Sequence, residues 1–461
     1  MCRRPPCHWL LALVPCWFSA AASAQPITAP PESPARPAVQ STAPAQQPVD
    51  ENVEKAREAF RKGNVDEALN LLKEAVKKND TLPPAKLMFA RMWAEANQPS
   101  MARLALEQAA AEEPHHPDIY IQLGQIALRE SRLTDALLLF REGINVLQHG
   151  KWTNEQQNNV KTACYSGVAA VHEARGHWAE AQKVLESSLE LNPKIGQLRQ
   201  RLGRALFMLD RREDAVKELE KACQDDPNLE PEGVTLGALF NQRGEMQKAE
   251  EFFAYAVKKS PQNLRARLAF GNWLMEQDRF DDADREATAA AGIDPKAIDA
   301  RMLKGFVARG RRDYAQAEQI FDDLLREFPS NFQASNQLAL VLVSQGTDAK
   351  RQRARELAEV NGRQYQREPE ALATLGWVYF KMGRMNEAQQ LLAQVYQASG
   401  GNITAETAYY LACLMSEQQR WEDARKLLES AIKSKGRFFH RREAEELARN
   451  LPSPTSPPVI K

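Results

Sequence analysis

The chain has 461 residues, too many for one compact core, so it must form several domains or a repeat array. Apolar residues make up 43% of it, an ordinary fraction for a folded protein. The 61 lysine and arginine residues balance 61 acidic residues, which argues against a nucleic-acid-binding protein that relies on a general basic surface.

The N-terminus predicts a secretory signal peptide over residues 1–24. Two arginines precede an apolar stretch from Trp9 to about Ala22, and the sequence ASA follows as a cleavage pattern. The apolar stretch is too short to span a bilayer comfortably, so we expect an exported protein, periplasmic or extracellular, with no transmembrane span after cleavage. The sequence LVPC, ending at Cys16, leaves a lipoprotein anchor as the alternative, although proline stands where a lipobox has a small residue.

Two segments are expected to be disordered. Residues 25–50 are dense in Pro, Ala, Gln and Ser and cannot bury enough apolar surface to offset the entropy of ordering, so they form a linker. Residues 452–461, PSPTSPPVIK, form a similar tail. Between these segments lie Cys164, Cys223 and Cys413, an odd number of cysteines inside helical patterns, which we interpret as small packing residues.

An alanine recurs along the rest of the chain at intervals of 34, 34, 45, 34, 34, 34, 34, 37, 34 and 36 residues. A second small residue precedes it by twelve positions in most units, as Gly203 precedes Ala215 and Gly376 precedes Ala388. Where two helices cross closely, a large side chain would force their axes apart. The spacing therefore predicts units of two packed helices that cross at these small residues. The alanines are Ala68, Ala102, Ala136, Ala181, Ala215, Ala249, Ala283, Ala317, Ala354, Ala388 and Ala424.

This 34-residue pattern resembles the tetratricopeptide repeat (TPR), and the third unit, DIYIQLGQIALRESRLTDALLLFREGI, carries it clearly. The resemblance implies an all-α fold, a right-handed α-solenoid of about eleven TPR helical hairpins with a C-terminal capping helix. We expect units one to three at 51–147, an insertion at 148–160, units four to eleven at 161–435 and the capping helix at 436–451. The insertion is expected to be a tolerated loop, or else to bend the superhelix.

The basic and aromatic run KSKGRFFHRRE, Lys433 to Glu443, allows two interpretations. It could bind an anionic partner. We favour the other interpretation, in which Phe438 and Phe439 attach the capping helix to unit eleven and the charged side chains lie in solvent.

No motif in the sequence predicts catalysis. His172 and His177 are five residues apart and so lie on different helical faces, whereas a zinc-protease motif needs histidines four apart. No phosphate-binding G-x-x-x-x-G-K-[ST] motif and no GxSxG nucleophile motif occurs. We therefore predict a non-enzymatic protein with no catalytic residues, no metal site and no cofactor.

In TPR proteins the first helix of each unit lines a concave groove, and the resemblance implies which side chains line it here. A mixture of exposed aromatic, Met, Asn and Arg side chains would suit a bound protein or extended peptide segment. The predicted groove residues are Gln125, Leu128, Arg204, Phe207, Asn241, Asn272, Met275, Phe306, Arg309, Asn336, Trp377, Phe380 and Tyr409.

About the last hundred residues also resemble TPR proteins that accompany bacterial exopolysaccharide and cell-envelope machinery. This implies a scaffold for protein–protein interaction in the assembly of a cell-envelope or export complex. The alternative is an export accessory that binds polysaccharide directly, because carbohydrate sites also favour exposed aromatic side chains beside Asn and Gln.

Overall fold

The computed structural model describes residues 50–452. The predicted signal peptide, the linker up to residue 49 and the tail from residue 453 lie outside the described residues. Between residues 50 and 452 the chain forms 23 α-helices and one short 3-10 helix, Val146–His149, and no strand. The α-helices are α1 (Glu51–Arg61), α2 (Val65–Lys78), α3 (Ala85–Glu95), α4 (Pro99–Glu112), α5 (Pro117–Arg129), α6 (Leu133–Asn145), α7 (Asn154–Ala174), α8 (Trp178–Leu191), α9 (Gly196–Met208), α10 (Arg212–Asp225), α11 (Glu232–Gln242), α12 (Met246–Lys259), α13 (Leu264–Glu276), α14 (Phe280–Ile293), α15 (Ile298–Gly310), α16 (Tyr314–Glu327), α17 (Phe332–Gln345), α18 (Asp348–Gln364), α19 (Pro369–Lys381), α20 (Met385–Ala398), α21 (Ala405–Glu417), α22 (Trp421–Lys433) and α23 (Arg441–Asn450).

The helices follow one another as hairpins, numbered here as repeats one (α1 and α2) to eleven (α21 and α22), and α23 follows as the capping helix. Residues 50–452 divide into two compact units, with the boundary between Ala85 and Lys86. In its described part the first unit holds repeat one, whose two helices pack together. In the second unit the two helices of each repeat from α5 to α22 also pack together. The expected all-α solenoid of about eleven repeats with a capping helix is confirmed.

Within the second unit, first helices contact the first helices of the next repeat, as α11 contacts α13, α13 contacts α15, and α19 contacts both α17 and α21. These helices form one continuous layer, whose outer surface we call the first-helix face. Because this layer runs through repeats that follow each other along the chain, side chains far apart in sequence meet on one surface.

The recurring small residues lie where the two helices of a repeat cross. All eleven of the predicted alanines are buried. A Cβ atom added at Gly203 would lie 2.6 Å from Cγ of Leu219, and one added at Gly376 would lie 2.8 Å from Cγ of Leu392. In each case the large side chain comes four residues after the alanine, so the absent side chain of the glycine makes room for it. The predicted crossings are confirmed.

The insertion between repeats three and four is more ordered than the loop we expected. The 3-10 helix Val146–His149 begins it, and α7 starts at Asn154, inside the insertion. Thr153 caps α7: its hydroxyl accepts from the Gln156 amide, and the Gln156 side chain accepts from the Thr153 amide. This capping box satisfies amides that a helix start would otherwise leave unpaired, and it lengthens the first helix of repeat four to 21 residues.

Candidate partner-binding surface

The chain returns to its own first-helix face after repeat eleven. Residues 434–440, between α22 and α23, form no helix, and we call them the C-terminal strap. Gly436 in the strap has a φ of 102°, in a backbone region that favours glycine. The ring contacts of the strap with the repeats and the hydrogen bond of its Phe439 amide lie on α15, α19 and α21, which are all first helices.

Two phenylalanines of the strap reach different repeats. Phe438 is buried, and its ring centroid lies 6.3 Å from that of Tyr409 in repeat eleven. The ring of Phe439 lies 6.2 Å from that of Phe306 in repeat eight, and the guanidinium carbon of Arg309 is 4.1 Å from its centroid. The expected attachment to repeat eleven is therefore confirmed for Phe438. Phe439 is also attached to repeat eleven, through its amide, but its ring lies on repeat eight, which was not expected.

A carboxylate at the start of α21 holds the strap backbone. The Phe439 amide donates to Oε1 of Glu406 over 2.8 Å, and His440 Nδ1 bonds to the other oxygen of the same carboxylate. Arg309 lies 3.9 Å from Glu406. Burial acts to raise the pKa of Glu406, but the His440 and Arg309 charges and the Phe439 amide outweigh burial and lower it to about 2. With the strap docked, Glu406 is therefore ionised near neutral pH.

Arg437 of the strap lies over the first-helix face. Its guanidinium carbon is 3.9 Å from the ring centroid of Phe306, at cation–π distance. Glu276, Glu370 and Glu406 interact electrostatically with it. Arg437 is exposed, as expected for the charges of this run, but it also lies over Phe306 and is attracted electrostatically by carboxylates on three first helices.

The capping helix also contacts repeats that come earlier in the chain. Arg441 Nε lies 3.2 Å from Asp278, in the turn after α13, and Arg441 also donates to the carbonyl of Ile432 over 2.8 Å. Arg312, in the turn after α15, donates to Glu443 over 2.6 Å. These ion pairs join the end of the chain to repeats seven and eight, so the terminal segment crosses the first-helix face from repeat eleven to repeat seven.

The thirteen predicted groove residues fall into three groups in the structure. Four of them contact the strap: Phe306, Arg309, Trp377 and Tyr409. Three others are buried: Phe207, Met275 and Asn336. The remaining six are exposed or half-buried: Gln125, Leu128, Arg204, Asn241, Asn272 and Phe380.

We expected the aromatic and Met side chains of the groove to be exposed, but most of them are buried. Trp377 stacks on Tyr410 at 4.4 Å and meets His440 of the strap at 5.7 Å, and Tyr409 stacks on His440 at 4.9 Å. Phe207 packs edge-on against Phe240 of the next repeat at 4.8 Å. These side chains are covered by neighbouring repeats or by the strap. Whether the thirteen residues bind a partner stays a prediction.

The sequence analysis did not predict the acidic residues on this surface. Glu276, Asp278 and Glu406 lie on or directly after first helices, and each faces a basic residue of the terminal segment. The available signal was the basic and aromatic run itself, which contains four lysine and arginine residues and no acid between residues 434 and 442. A run of that kind favours contact with acidic side chains, and here these belong to the first helices of the same chain; binding of an anionic partner stays a prediction.

The described residues contain no group of three or more His, Cys, Asp or Glu side chains placed to hold a metal ion. His172 and His177 have ring centroids 6.1 Å apart, with Gly176 in the turn between them. No helix between residues 50 and 452 is long and apolar enough to cross a membrane.

Family models described as tetratricopeptide repeat match most of the repeat array. The matched residues are 53–103, 87–145, 173–238, 241–305, 304–350, 369–402 and 406–434. No curated protein matches the chain at a significant level.

Solved structures resemble the chain in fold. Yeast Tom70 is 13% identical, over 86% of this chain and 94% of that chain, with a TM-score of 0.39. A tetratricopeptide repeat protein from Parabacteroides merdae is 15% identical, over 63% and 98%, with a TM-score of 0.35. YrrB, described as a TPR protein with an unusual peptide-binding site, is 20% identical, over 43% and 97%, with a TM-score of 0.27. From the family models and the hairpin architecture together, the chain belongs to the tetratricopeptide repeat family of protein-interaction scaffolds.

Proposed function

We propose that this protein binds an extended segment of a partner protein across its first-helix face and so helps to assemble a bacterial cell-envelope or export complex. One observation carries the proposal. The strap, a non-helical segment of the chain itself, already lies on this face, held by ring contacts with Phe306 and Tyr409 and by the carboxylate of Glu406. The face therefore has the chemistry that a non-helical peptide segment requires.

The contacts with the strap are of the two kinds that peptide recognition uses. Buried aromatic side chains supply apolar anchors, as Tyr409 does for Phe438. A side chain that accepts from the peptide backbone fixes the position of the segment along the face, as Glu406 does for the Phe439 amide. Neither contact depends on the peptide being covalently attached to repeat eleven, so a separate chain could make both.

Part of the face is open while the strap is docked. Arg204 on α9 and Asn272 on α13 are exposed, and they come from first helices on the N-terminal side of repeat eight. A partner can contact these side chains before it contacts the strap. We place the first contact with the partner there.

The cell-envelope setting rests on the predicted signal peptide and on the resemblance of the last hundred residues. Polysaccharide binding is the weaker alternative, because sugars stack on exposed aromatic rings, whereas Trp377 and Tyr409 are less than a tenth exposed. A glycan would have to displace the strap before it could reach either ring.

Site-specific photo-crosslinking in the native bacterium tests the proposal. A photo-reactive residue replaces Asn272 on α13, and a matched protein carries it at Glu251, an exposed residue on the second helix α12. We expect a defined polypeptide to be crosslinked at Asn272 and not at Glu251. Equal crosslinking at both positions, or retention of labelled envelope polysaccharide with no polypeptide adduct at Asn272, would contradict the proposal.

A further inference from the structure

We infer that the first-helix face of repeats seven to eleven recognises a partner segment with two adjacent aromatic residues flanked by arginines or lysines. In this account the strap is an internal ligand that occupies the site until such a segment displaces it. The inference rests on the proposed function and adds the chemistry of the partner and a means of regulation.

Charge complementarity defines the first part of this specificity. On the face, Asp278 lies 3.2 Å from Arg441 and Glu406 accepts from the Phe439 amide over 2.8 Å. Glu276, Glu370 and Glu406 attract Arg437 electrostatically, while Arg309 repels it. Burial raises the pKa of Glu276, and Arg437 partly offsets this. Bringing carboxylates together on one surface is unfavourable unless cations accompany them, so an occupant without basic residues would leave them uncompensated.

The ring contacts define the second part. Phe438 and Phe439 are adjacent in sequence, yet Phe438 points to Tyr409 in repeat eleven and Phe439 to Phe306 and Arg309 in repeat eight. Phe439 lies in the turn that precedes α23, where the Arg441 amide donates to the Phe438 carbonyl, and this turn directs the two rings to two separate ring sites. A segment with a single aromatic residue would fill only one of them.

Several features make the strap displaceable. It has no regular secondary structure, and Arg437 remains exposed although it lies over Phe306. The ion pair between Arg312 and Glu443 is also largely exposed, and exposed pairs contribute only about 0.2–1 kcal/mol each. An open cavity flanks the strap, and its lining includes Phe280, Arg312 and Phe439. These parts of the strap are held by local contacts, whereas the Phe438 ring is buried in the hydrophobic core and has to leave it when the strap is displaced.

The strap competes strongly because it is tethered. A short tether gives an effective concentration in the millimolar range, so a free peptide of the same sequence should bind the intact protein weakly. A partner that also contacts the open part of the face, around Asn272, gains additional affinity and can displace the strap. The same tether explains how a site can be present and yet be closed to unrelated basic peptides.

Fluorescence anisotropy with a labelled synthetic peptide, KSKGRFFHRRE, tests the inference on the full chain. The strap variant Arg437→Ala/Phe439→Ala weakens the internal ligand, and Arg449→Ala is the matched control, since it removes an exposed arginine of α23. We expect weak binding to the wild-type protein and to Arg449→Ala, and binding at least about tenfold tighter to the strap variant. A peptide with both phenylalanines replaced by alanine should bind neither protein.

The position of the bound peptide is tested by adding a second change to the strap variant. Phe306→Ala removes a ring site, and Glu276→Gln removes a carboxylate with little change in shape. We expect each to weaken peptide binding about tenfold or more. The inference is overturned if the strap variant binds no tighter than wild type, or if neither second change matters.

Light scattering tests whether the site is occupied by the strap of a second copy of the chain. A dimer that dissociates when Arg437 and Phe439 are replaced would identify the occupant as the strap of a second copy, and this would contradict the inference. If crosslinking at Asn272 captures a polypeptide while the peptide fails to bind, the scaffold function stands and only the partner chemistry is wrong.

Discussion

The guanidinium carbon of Arg437 lies 3.9 Å from the centre of the Phe306 ring, which joins the segment after repeat eleven to the first helix of repeat eight. In an ideal linear array each repeat contacts only its neighbours. This contact departs from that rule, and with it the terminal segment ties together repeats that are not adjacent. Stability in the C-terminal repeats should therefore be more cooperative than in the N-terminal ones.

The glycines at the helix crossings should not tolerate a side chain. Gly203→Ala would place a Cβ atom 2.6 Å from Leu219 and 3.2 Å from the carbonyl of Ala215, so we expect a loss of about 1–3 kcal/mol. Gly292→Ala in α14 is the control, because a Cβ atom there meets nothing within 4 Å and the change should stabilise by about 0.5–1 kcal/mol. Native-state hydrogen exchange of each altered repeat measures both. A stabilising Gly203→Ala would contradict the crossing.

Arg309 in α15 and Arg312 in the turn after α15 should differ in importance. Arg309 is buried, donates to Gln337 over 2.6 Å and stacks on Phe439. Arg309→Met keeps most of the volume but leaves Gln337 and Glu406 without this partner, and we expect a loss of about 2 kcal/mol or more.

Arg312→Met is the control for this change. It removes an exposed ion pair with Glu443 and should cost less than about 1 kcal/mol. Urea denaturation of the C-terminal repeats measures both variants, and equal losses would show that burial of Arg309 has no special role.

The carboxyl of Glu406 should make stability depend on pH in the acid range. Its pKa is about 2 in the folded protein against an ordinary 4.5, so the folded state favours the ionised form. The stabilisation, roughly 3 kcal/mol, is complete above about pH 4.5 and is lost as pH falls toward 2. The difference in unfolding free energy between wild type and Glu406→Gln should therefore shrink from pH 5 to pH 2. A constant difference would contradict the pairing.

The buried thiol of Cys164 should be inert in the folded protein. Cys164 is fully buried, and burial raises its pKa to about 12. Cys223 is only partly buried, and burial raises its pKa to about 11. With a maleimide at pH 8, mass spectrometry should show Cys223 modified before Cys164, and Cys164 modified only in urea. Modification of Cys164 in the native protein at the rate of Cys223 would disprove its packing role.

The repeat architecture was predictable because it is local and repeated. Gly203 and Ala215 are twelve residues apart, and the same pair recurs in other repeats, so one physical requirement appears many times in the sequence. The insertion was harder to predict, because the capping box of Thr153 and Gln156 that starts α7 is a single short signal without repetition.

The candidate site was predictable only in part. The position of Phe306, Arg309, Trp377 and Tyr409 within the repeat predicted that they share one surface, and all four contact the strap. Their covering by the strap was not predictable, because it depends on how the repeats curve toward the end of the chain. The path of Phe439 back to repeat eight is set by the accumulated geometry of several repeats, and no local pattern encodes that distance.

Hydrogen exchange at the Phe439 amide tests the central claim most directly, because this amide donates to Glu406 across the first-helix face. If the strap is docked, this amide should exchange about a hundredfold or more slowly than in an unstructured peptide. In the variant Arg437→Ala/Phe439→Ala the backbone amide of residue 439 should lose that protection. Exchange at the unstructured rate in the wild-type protein, while the amides of α15 and α21 stay protected, would show that the strap does not lie on the face.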